Sequence, residues 1–79
     1  MGRGPIHPAR RVLAANLRRV RLARDVSQDE LADSAGLRQA LVSAIEVGTA
    51  NPTLNSLESL ALALGATVGD LLASDTKQK

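Results

Sequence analysis

The sequence predicts a small all-α domain built from five helices. Its 79 residues allow one domain. Apolar residues recur at helical spacing, helix-capping patterns and glycines divide the chain into short segments, and no stretch alternates in the manner of a strand. Phe, Tyr and Trp are absent, so the core must be aliphatic. A core this small gains stability from self-association, which makes a dimer plausible from the outset.

The first predicted helix begins near Ala9 or Arg10 and runs to about Arg24. Its apolar stripe is formed by Leu13, Leu17 and Val20. Residues 1–8 precede it and contain two glycines and two prolines, which predicts a disordered arm.

The second and third predicted helices are short and closely spaced. The segment 27–30, Ser-Gln-Asp-Glu, is a capping box that opens the second helix, and Gly36 ends it in a left-handed turn. The third runs from about Arg38 to Val47 and stops at Gly48. Two short helices joined by such a turn cross steeply, which is the helix-turn-helix geometry. The N-terminal half of the second helix of the pair then protrudes, as required to enter a DNA major groove.

Two further helices complete the predicted domain. Thr53 or Asn55 caps the fourth helix and Gly65 ends it. The segment 67–70 is a second cap pattern that opens a short fifth helix. The polar residues 74–79 predict a flexible tail, so the folded domain is expected to span residues 9–73. The fifth helix carries Leu71 and Leu72, and the predicted inward residues of the fourth helix are Leu57, Leu60, Ala61 and Leu64.

Charge is distributed unevenly along the chain, although the net charge is only +2. Seven arginines precede the first acidic residue, Asp25, and no basic residue lies between Gln39 and Thr76. A basic end suits a polyanion such as nucleic acid. A solvated, arginine-rich helix face explains the same pattern equally well.

Composition argues against several classes of function. There is no cysteine, and the single histidine, His7, lies between Ile6 and Pro8. Ligands for a metal and groups for catalysis are therefore lacking, so we expect no enzyme, no metal and no cofactor. No segment has the roughly 18 apolar residues of a membrane span, and no secretory signal is present, which predicts a cytoplasmic protein. So small a domain leaves no room for a small-molecule pocket.

Short motifs follow one another along the middle of the chain: LRRVR at 17–21, SQDELA at 27–32, AGL at 35–37, Ile45-Glu46 with Gly48, NPTL at 51–54, and Leu60-Ala61 with Leu64-Gly65. Through these motifs the chain, from about Asn16 to Leu72, resembles the phage-repressor and Cro-like (Xre-type) helix-turn-helix family. The resemblance implies a five-helix, lambda-repressor-like DNA-binding domain and a transcriptional regulator of double-stranded DNA. It further implies a homodimer on an inverted-repeat operator, as in the controller proteins of restriction-modification systems. Antitoxins and interaction modules that retain this fold are the alternatives.

The resemblance assigns DNA contacts to named positions. Gln28 matches the glutamine that binds a DNA phosphate, and the exposed face of the recognition helix corresponds to Arg38, Gln39, Ala40, Ser43 and Ala44. Arg38 suits guanine or a phosphate, and Gln39 suits adenine. Ser43 is short and fits a backbone contact better than a base contact. The alternative for Gln28 and Gln39 is a plain surface glutamine, and Leu41 either touches DNA or packs beside Leu37.

The same resemblance implies a structural role for Arg21 and Glu46, as a partly buried ion pair between the first and third helices. After this glutamate, the family usually carries polar or basic residues, whereas this chain has Val47, Thr49 and Ala50. The backbone amides of Gly48 and Thr49 are then expected to bind phosphate. Additional phosphate contacts are expected from Arg10, Arg11 and the arm residue Arg3.

An apolar patch predicts the dimer interface. Leu62 lies off the core stripe of the fourth helix, at a position that is commonly polar in the family. With Ala66, Val68 and Leu72 it forms an exposed apolar patch, which is typical of an interface. The alternative is that Leu62 is a tolerated surface leucine.

Overall fold

The computed structural model describes residues 7–74 and shows five helices, with no strand in that range. The predicted all-α, five-helix fold is confirmed. The expectations for the arm, including Arg3, and for the tail after Ser74 lie outside the described residues. The helices are α1 (Pro8–Ala23), α2 (Gln28–Ala35), α3 (Gln39–Glu46), α4 (Leu54–Leu64) and α5 (Val68–Leu72).

Helix α1 begins one residue earlier than predicted, at Pro8, with His7 as its N-cap. Pro8 was assigned to the arm, but proline suits the first helical position because the amide it lacks would have no partner there. After α1 the chain turns at Asp25, whose φ of 58° lies in the left-handed region. The Val26 amide closes this turn by donating to the carbonyl of Arg21 at 3.3 Å.

The predicted caps are present at the other helices. The Glu30 amide donates to Ser27 Oγ, and the Ser27 amide donates to Glu30 Oε1, which forms the capping box of α2. Thr67 and Asp70 form the same reciprocal pair at α5. Of the two candidates for α4, the cap is Thr53, which accepts from the Ser56 amide. These bonds satisfy amides that would otherwise have no partner in the first turn of each helix.

The core is an aliphatic cluster to which all five helices contribute. Helix α1 packs against α3 and α5, while α2 packs against α3 and α4. Val20, predicted in the apolar stripe of the first helix, and Leu37 lie at the edge of this core and are partly buried. The buried apolar residues are Leu13, Leu17, Leu31, Ala32, Val42, Ile45, Leu57, Leu60, Ala61, Leu64 and Leu71.

Asn16 is a buried polar residue that ties the end of the domain to α1. Its Nδ2 donates to the carbonyls of Leu71 and Ala73, each at 2.9 Å. Its Oδ1 accepts from Arg19 Nη2 at 3.1 Å. Because α5 has only five residues, these bonds to the carbonyls at its C-terminal end fix its position on α1.

Candidate nucleic-acid interface

The turn between α2 and α3 sets the angle of the helix pair. Gly36 has a φ of 70°, and the Leu37 amide donates back to the carbonyl of Ala32 at 2.8 Å. Ala32 is only 2% exposed, and α2 packs against both α3 and α4. Val42 and Ile45 lie beneath the pair in the core. The buried side of α3 is therefore fixed, and its N-terminal half is left at the surface.

Residues assigned to DNA contact lie at that exposed end. Arg38 is the N-cap of α3 with extended backbone, and its side chain makes no capping hydrogen bond. Gln39 and Ala40 in the first turn are exposed, whereas Ser43 and Ala44 are half-buried. Leu41 is also half-buried and packs against the core, which favours packing over DNA contact for this residue.

The Arg21–Glu46 pair joins α1 to the end of α3. Arg21 Nε donates to Glu46 Oε2 at 2.7 Å, and Nη2 donates to Oε1 at 3.0 Å. The two side chains are 9% and 2% exposed. Arg21 Nη1 also donates to the carbonyl of Val26 at 2.9 Å, so the guanidinium holds the turn after α1 as well. Such a fork-shaped contact fixes the angle between the two helices.

Ionisation of both partners is favoured by this contact. The hydrogen bond to Glu46 raises the pKa of Arg21, and burial opposes this increase only in part. Burial alone would raise the pKa of Glu46. The hydrogen bonds from Arg21 and Gln28, with the charges of Arg21 and Arg18, outweigh burial and hold the pKa of Glu46 below its ordinary value. The carboxylate is therefore charged at neutral pH.

Two glutamines extend the pair to the protein surface. Gln28 Nε2 donates to Glu46 Oε1 at 3.0 Å, and Gln28 Oε1 accepts from Gln39 Nε2 at 2.8 Å. Side chains from α1, α2 and α3 thus form one chain of hydrogen bonds that ends at the exposed Gln39. Sequence reasoning treated the two glutamines separately and missed this link. The feature that could have indicated the link is that each glutamine is the first residue of its helix.

The end of α3 corrects one expectation. The Gly48 amide donates to the carbonyl of Ile45 and the Thr49 amide to that of Ala44, each at 3.0 Å. The Thr49 hydroxyl donates to the same Ala44 oxygen at 3.3 Å. Both amides are therefore already used in closing α3, rather than free for a phosphate. The cause is local, because Gly48 at a φ of 85° folds the chain back onto the last turn.

A basic groove lies beside this helix end. Arg10, Arg11 and His7 from the start of α1 line it together with Ala14, Val47 and Gly48. Val47 is 69% exposed. The structure therefore brings the two predicted phosphate-binding arginines next to the C-terminal end of α3.

The predicted apolar patch divides into two parts. Leu62, which is 81% exposed, lines one shallow groove with Ala66 and Val68. Leu72 does not join them, because it lies in a separate groove with Leu13. Periodicity placed all four residues near the end of the domain, but the turn between α4 and α5 determines which of them are neighbours.

No helix in the part of the chain that the structure describes has the length and apolar character needed to cross a membrane. Within the same residues, no three His, Asp or Glu side chains are grouped to hold a metal ion.

Two short helices are joined by a tight left-handed turn at Gly36, and the N-terminal end of the second is exposed above an aliphatic core. This arrangement defines a helix-turn-helix protein. The family model described as "Helix-turn-helix" matches residues 17–71. A hypothetical transcription factor of Neisseria meningitidis is 43% identical over 63 residues, which are 80% of this chain and 59% of the relative. This chain therefore spans less than two thirds of that relative's length.

Two control proteins are also similar to this chain. C.SmaI of Serratia marcescens is 38% identical over 61 residues, covering 77% of this chain and 73% of the relative. The crystal structure of the restriction-modification controller protein C.AhdI from Aeromonas hydrophila superimposes with a TM-score of 0.78 at 31% identity, covering 82% of this chain and 98% of that one. The chain belongs to the helix-turn-helix family of the Xre type, whose members are DNA-binding transcription regulators.

Proposed function

We propose that this protein is a sequence-specific regulator that binds an inverted-repeat operator in double-stranded DNA as a homodimer. The observation that carries the proposal is the hydrogen-bond chain from Glu46 through Gln28 to Gln39. It presents an exposed, oriented amide at the N-terminal end of α3, where this motif meets base edges. The similarity to control proteins favours a regulator of the controller type.

The geometry of Gln39 suits adenine. Its amide nitrogen has two hydrogens, and one of them is used by Gln28. The second hydrogen and the carbonyl oxygen remain for N7 and N6 of adenine, which is the bidentate contact that this side chain favours. Arg38 beside it suits guanine O6 and N7 or a phosphate, and the exposed methyl group of Ala40 suits a thymine methyl. Ser43 and Ala44 lie deeper and suit contact with the DNA backbone.

Phosphate contacts flank this reading surface. Gln28 retains one amide hydrogen beyond the one bound to Glu46, and the resemblance places a phosphate there. Arg10 and Arg11 in the basic groove supply positive charge near the end of α3. These contacts position the protein without distinguishing sequences, so their contribution should weaken with rising salt.

The groove formed by Leu62, Ala66 and Val68 is the proposed dimer surface. Exposed apolar surfaces of this kind are typical of interaction sites, and covering one by association would stabilise a domain with so small a core. A two-fold axis there pairs identical surfaces, and two recognition helices about 34 Å apart would read an inverted repeat. Substitution of Leu62 by glutamate should yield a monomer in light scattering, and an unchanged mass would contradict the interface.

Selection from random duplex DNA at about 150 mM salt tests the function directly. Enrichment of an inverted repeat with half-sites about 10 base pairs apart would support it and provide the operator. Folded protein that enriches no sequence would contradict it and favour the antitoxin or protein-interaction alternative.

Two glutamine variants test the reading surface on the selected operator. Gln39→Ala should relax preference at one base position per half-site, by about 1–3 kcal/mol of discrimination. Gln28→Ala should weaken binding to all sequences and loosen Gln39 in addition, because it removes the partner of the Gln39 amide. If Gln39→Ala leaves the sequence preference unchanged, the assignment of the reading surface is wrong.

A further inference from the structure

We propose that the homodimer forms by antiparallel pairing of α4 with its copy, closed by two symmetry-related ion pairs between Arg24 and Glu58. This inference rests on the proposed homodimer and names the contacts that select the partner and its orientation. It is carried by the order of charges along one side of α4.

Glu58 marks the first end of that side. It is exposed and lines the same shallow groove as Leu62 and Ala66. Its carboxylate is therefore next to the apolar surface proposed for self-association. Among residues 7–74 the one ion pair is Arg21–Glu46, so the charge of Glu58 is not matched by a salt bridge within that range.

Arg24 marks the other end, although it belongs to the turn after α1. Its guanidinium lies over Gly65, where a Cβ built on the glycine would be 3.4 Å from Arg24 Nη1. Gly65 follows Glu58 by seven residues, or nearly two helical turns, so both lie on the same side of α4, about 10 Å apart along its axis. Along this side the surface is negative, then apolar, then positive.

This order is self-complementary under two-fold symmetry. In an isologous interface each contact occurs twice. If residue i of one subunit contacts residue j of the other, then residue j of the first subunit contacts residue i of the second. With antiparallel helices and an axis between Ala61 and Leu62, Glu58 lies opposite Gly65 of the partner subunit, and so beside the guanidinium of that subunit's Arg24. A parallel pairing would place like charges opposite each other. The charges therefore select the antiparallel arrangement.

The two kinds of contact have different roles. Leu62, near the axis, supplies apolar burial, which drives association. The Arg24–Glu58 pairs lie at the rim, where charges determine orientation and exclude wrong partners more than they add affinity. We therefore expect the dimer to weaken moderately with salt and strongly when either charge is reversed.

Charge reversal tests the arrangement by sedimentation equilibrium on the full chain. Arg24→Glu alone and Glu58→Arg alone should each raise the dimer Kd by about tenfold or more, because each places two like-charge pairs in the interface. A 1:1 mixture of the two variants should form a heterodimer with near wild-type Kd, because both contacts then join opposite charges. The double variant, which keeps the wild-type net charge, should form a homodimer again.

The controls separate this inference from the homodimer itself. Asp33→Arg adds the same charge as Glu58→Arg on the exposed surface of α2 and should leave the Kd unchanged. A wild-type dimer that Leu62→Glu dissociates, but that neither charge variant affects, would overturn the ion pairs and leave the homodimer standing. A wild-type chain that is monomeric at all concentrations would overturn both. Circular dichroism of each variant verifies the helical fold.

Discussion

Replacing Arg21 by alanine should weaken DNA binding by destabilising the domain, although an arginine beside a DNA-binding surface invites a functional interpretation. The guanidinium donates to both carboxylate oxygens of Glu46 and to the carbonyl of Val26. The Glu46 side chain is only 2% exposed, and alanine at position 21 leaves its carboxylate without a cationic partner. The residue thus matters because it neutralises a buried charge between α1 and α3.

The magnitude follows from the burial of the pair. Removing one partner of a buried ion pair costs about 3–5 kcal/mol. A domain of this length has a total unfolding free energy of roughly 4–12 kcal/mol. With a urea m-value near 1 kcal/mol/M, typical of the smallest domains, the unfolding midpoint should fall by about 3–5 M. If the wild-type stability lies at the lower end of this range, much of the variant is unfolded at 25 °C without denaturant.

Urea unfolding and DNA binding should be measured on the same protein samples. If lost binding follows from unfolding, an excluded osmolyte such as TMAO should restore both helicity and DNA affinity to Arg21→Ala. The matched control replaces both partners, Arg21→Met with Glu46→Leu, and should recover most of the stability because no unpaired charge is buried. An Arg21→Ala protein with a wild-type urea midpoint but no DNA binding would refute this reasoning and make Arg21 a DNA contact.

Three further predictions concern stability. Because the pKa of Glu46 is lowered on folding, its stabilising contribution is present above its ordinary value of 4.5 and is lost as pH falls through the lowered folded pKa. The urea midpoint should therefore drop as the pH falls below 4.5, and this drop should be smaller in Glu46→Gln. Asn16→Ala should destabilise the domain by about 1–3 kcal/mol, since the carbonyls of Leu71 and Ala73 lose their donor; a melting temperature equal to wild type would show that water replaces these bonds. Asp25→Gly should raise the melting temperature by about 2–8 °C, because glycine adopts the φ of 58° without steric cost; a lower melting temperature would indicate that the aspartate side chain stabilises this turn.

Much of the fold was predictable because it depends on neighbours in sequence. The capping box at Ser27 and Glu30, the left-handed stop at Gly36 and the helix end at Gly65 are short-range patterns, and the structure contains each of them. Helical spacing likewise identified which residues of α4 are buried. The start of α1 was displaced by one residue because Pro8 was interpreted only as a helix breaker.

The site was predictable only in part. The resemblance named Gln28, Gln39 and the Arg21–Glu46 pair, but it treated them as separate elements. Their joining into one hydrogen-bond chain depends on how α1, α2 and α3 converge. At Thr49 the prediction missed a bond within the protein. Its amide was expected to be free for a phosphate, but it donates to the carbonyl of Ala44.

By itself, the sequence determined the class of fold, the positions of the helices and the side of each that is buried, because periodicity and caps act within a few residues. The tertiary structure alone decided which surface residues are neighbours. It separated Leu72 from Leu62 and placed Arg24 over Gly65, across a gap of 41 residues in the chain. The physical reason is that periodicity specifies a direction around one helix axis, whereas contacts between helices depend on crossing angles and turns set by the packed core.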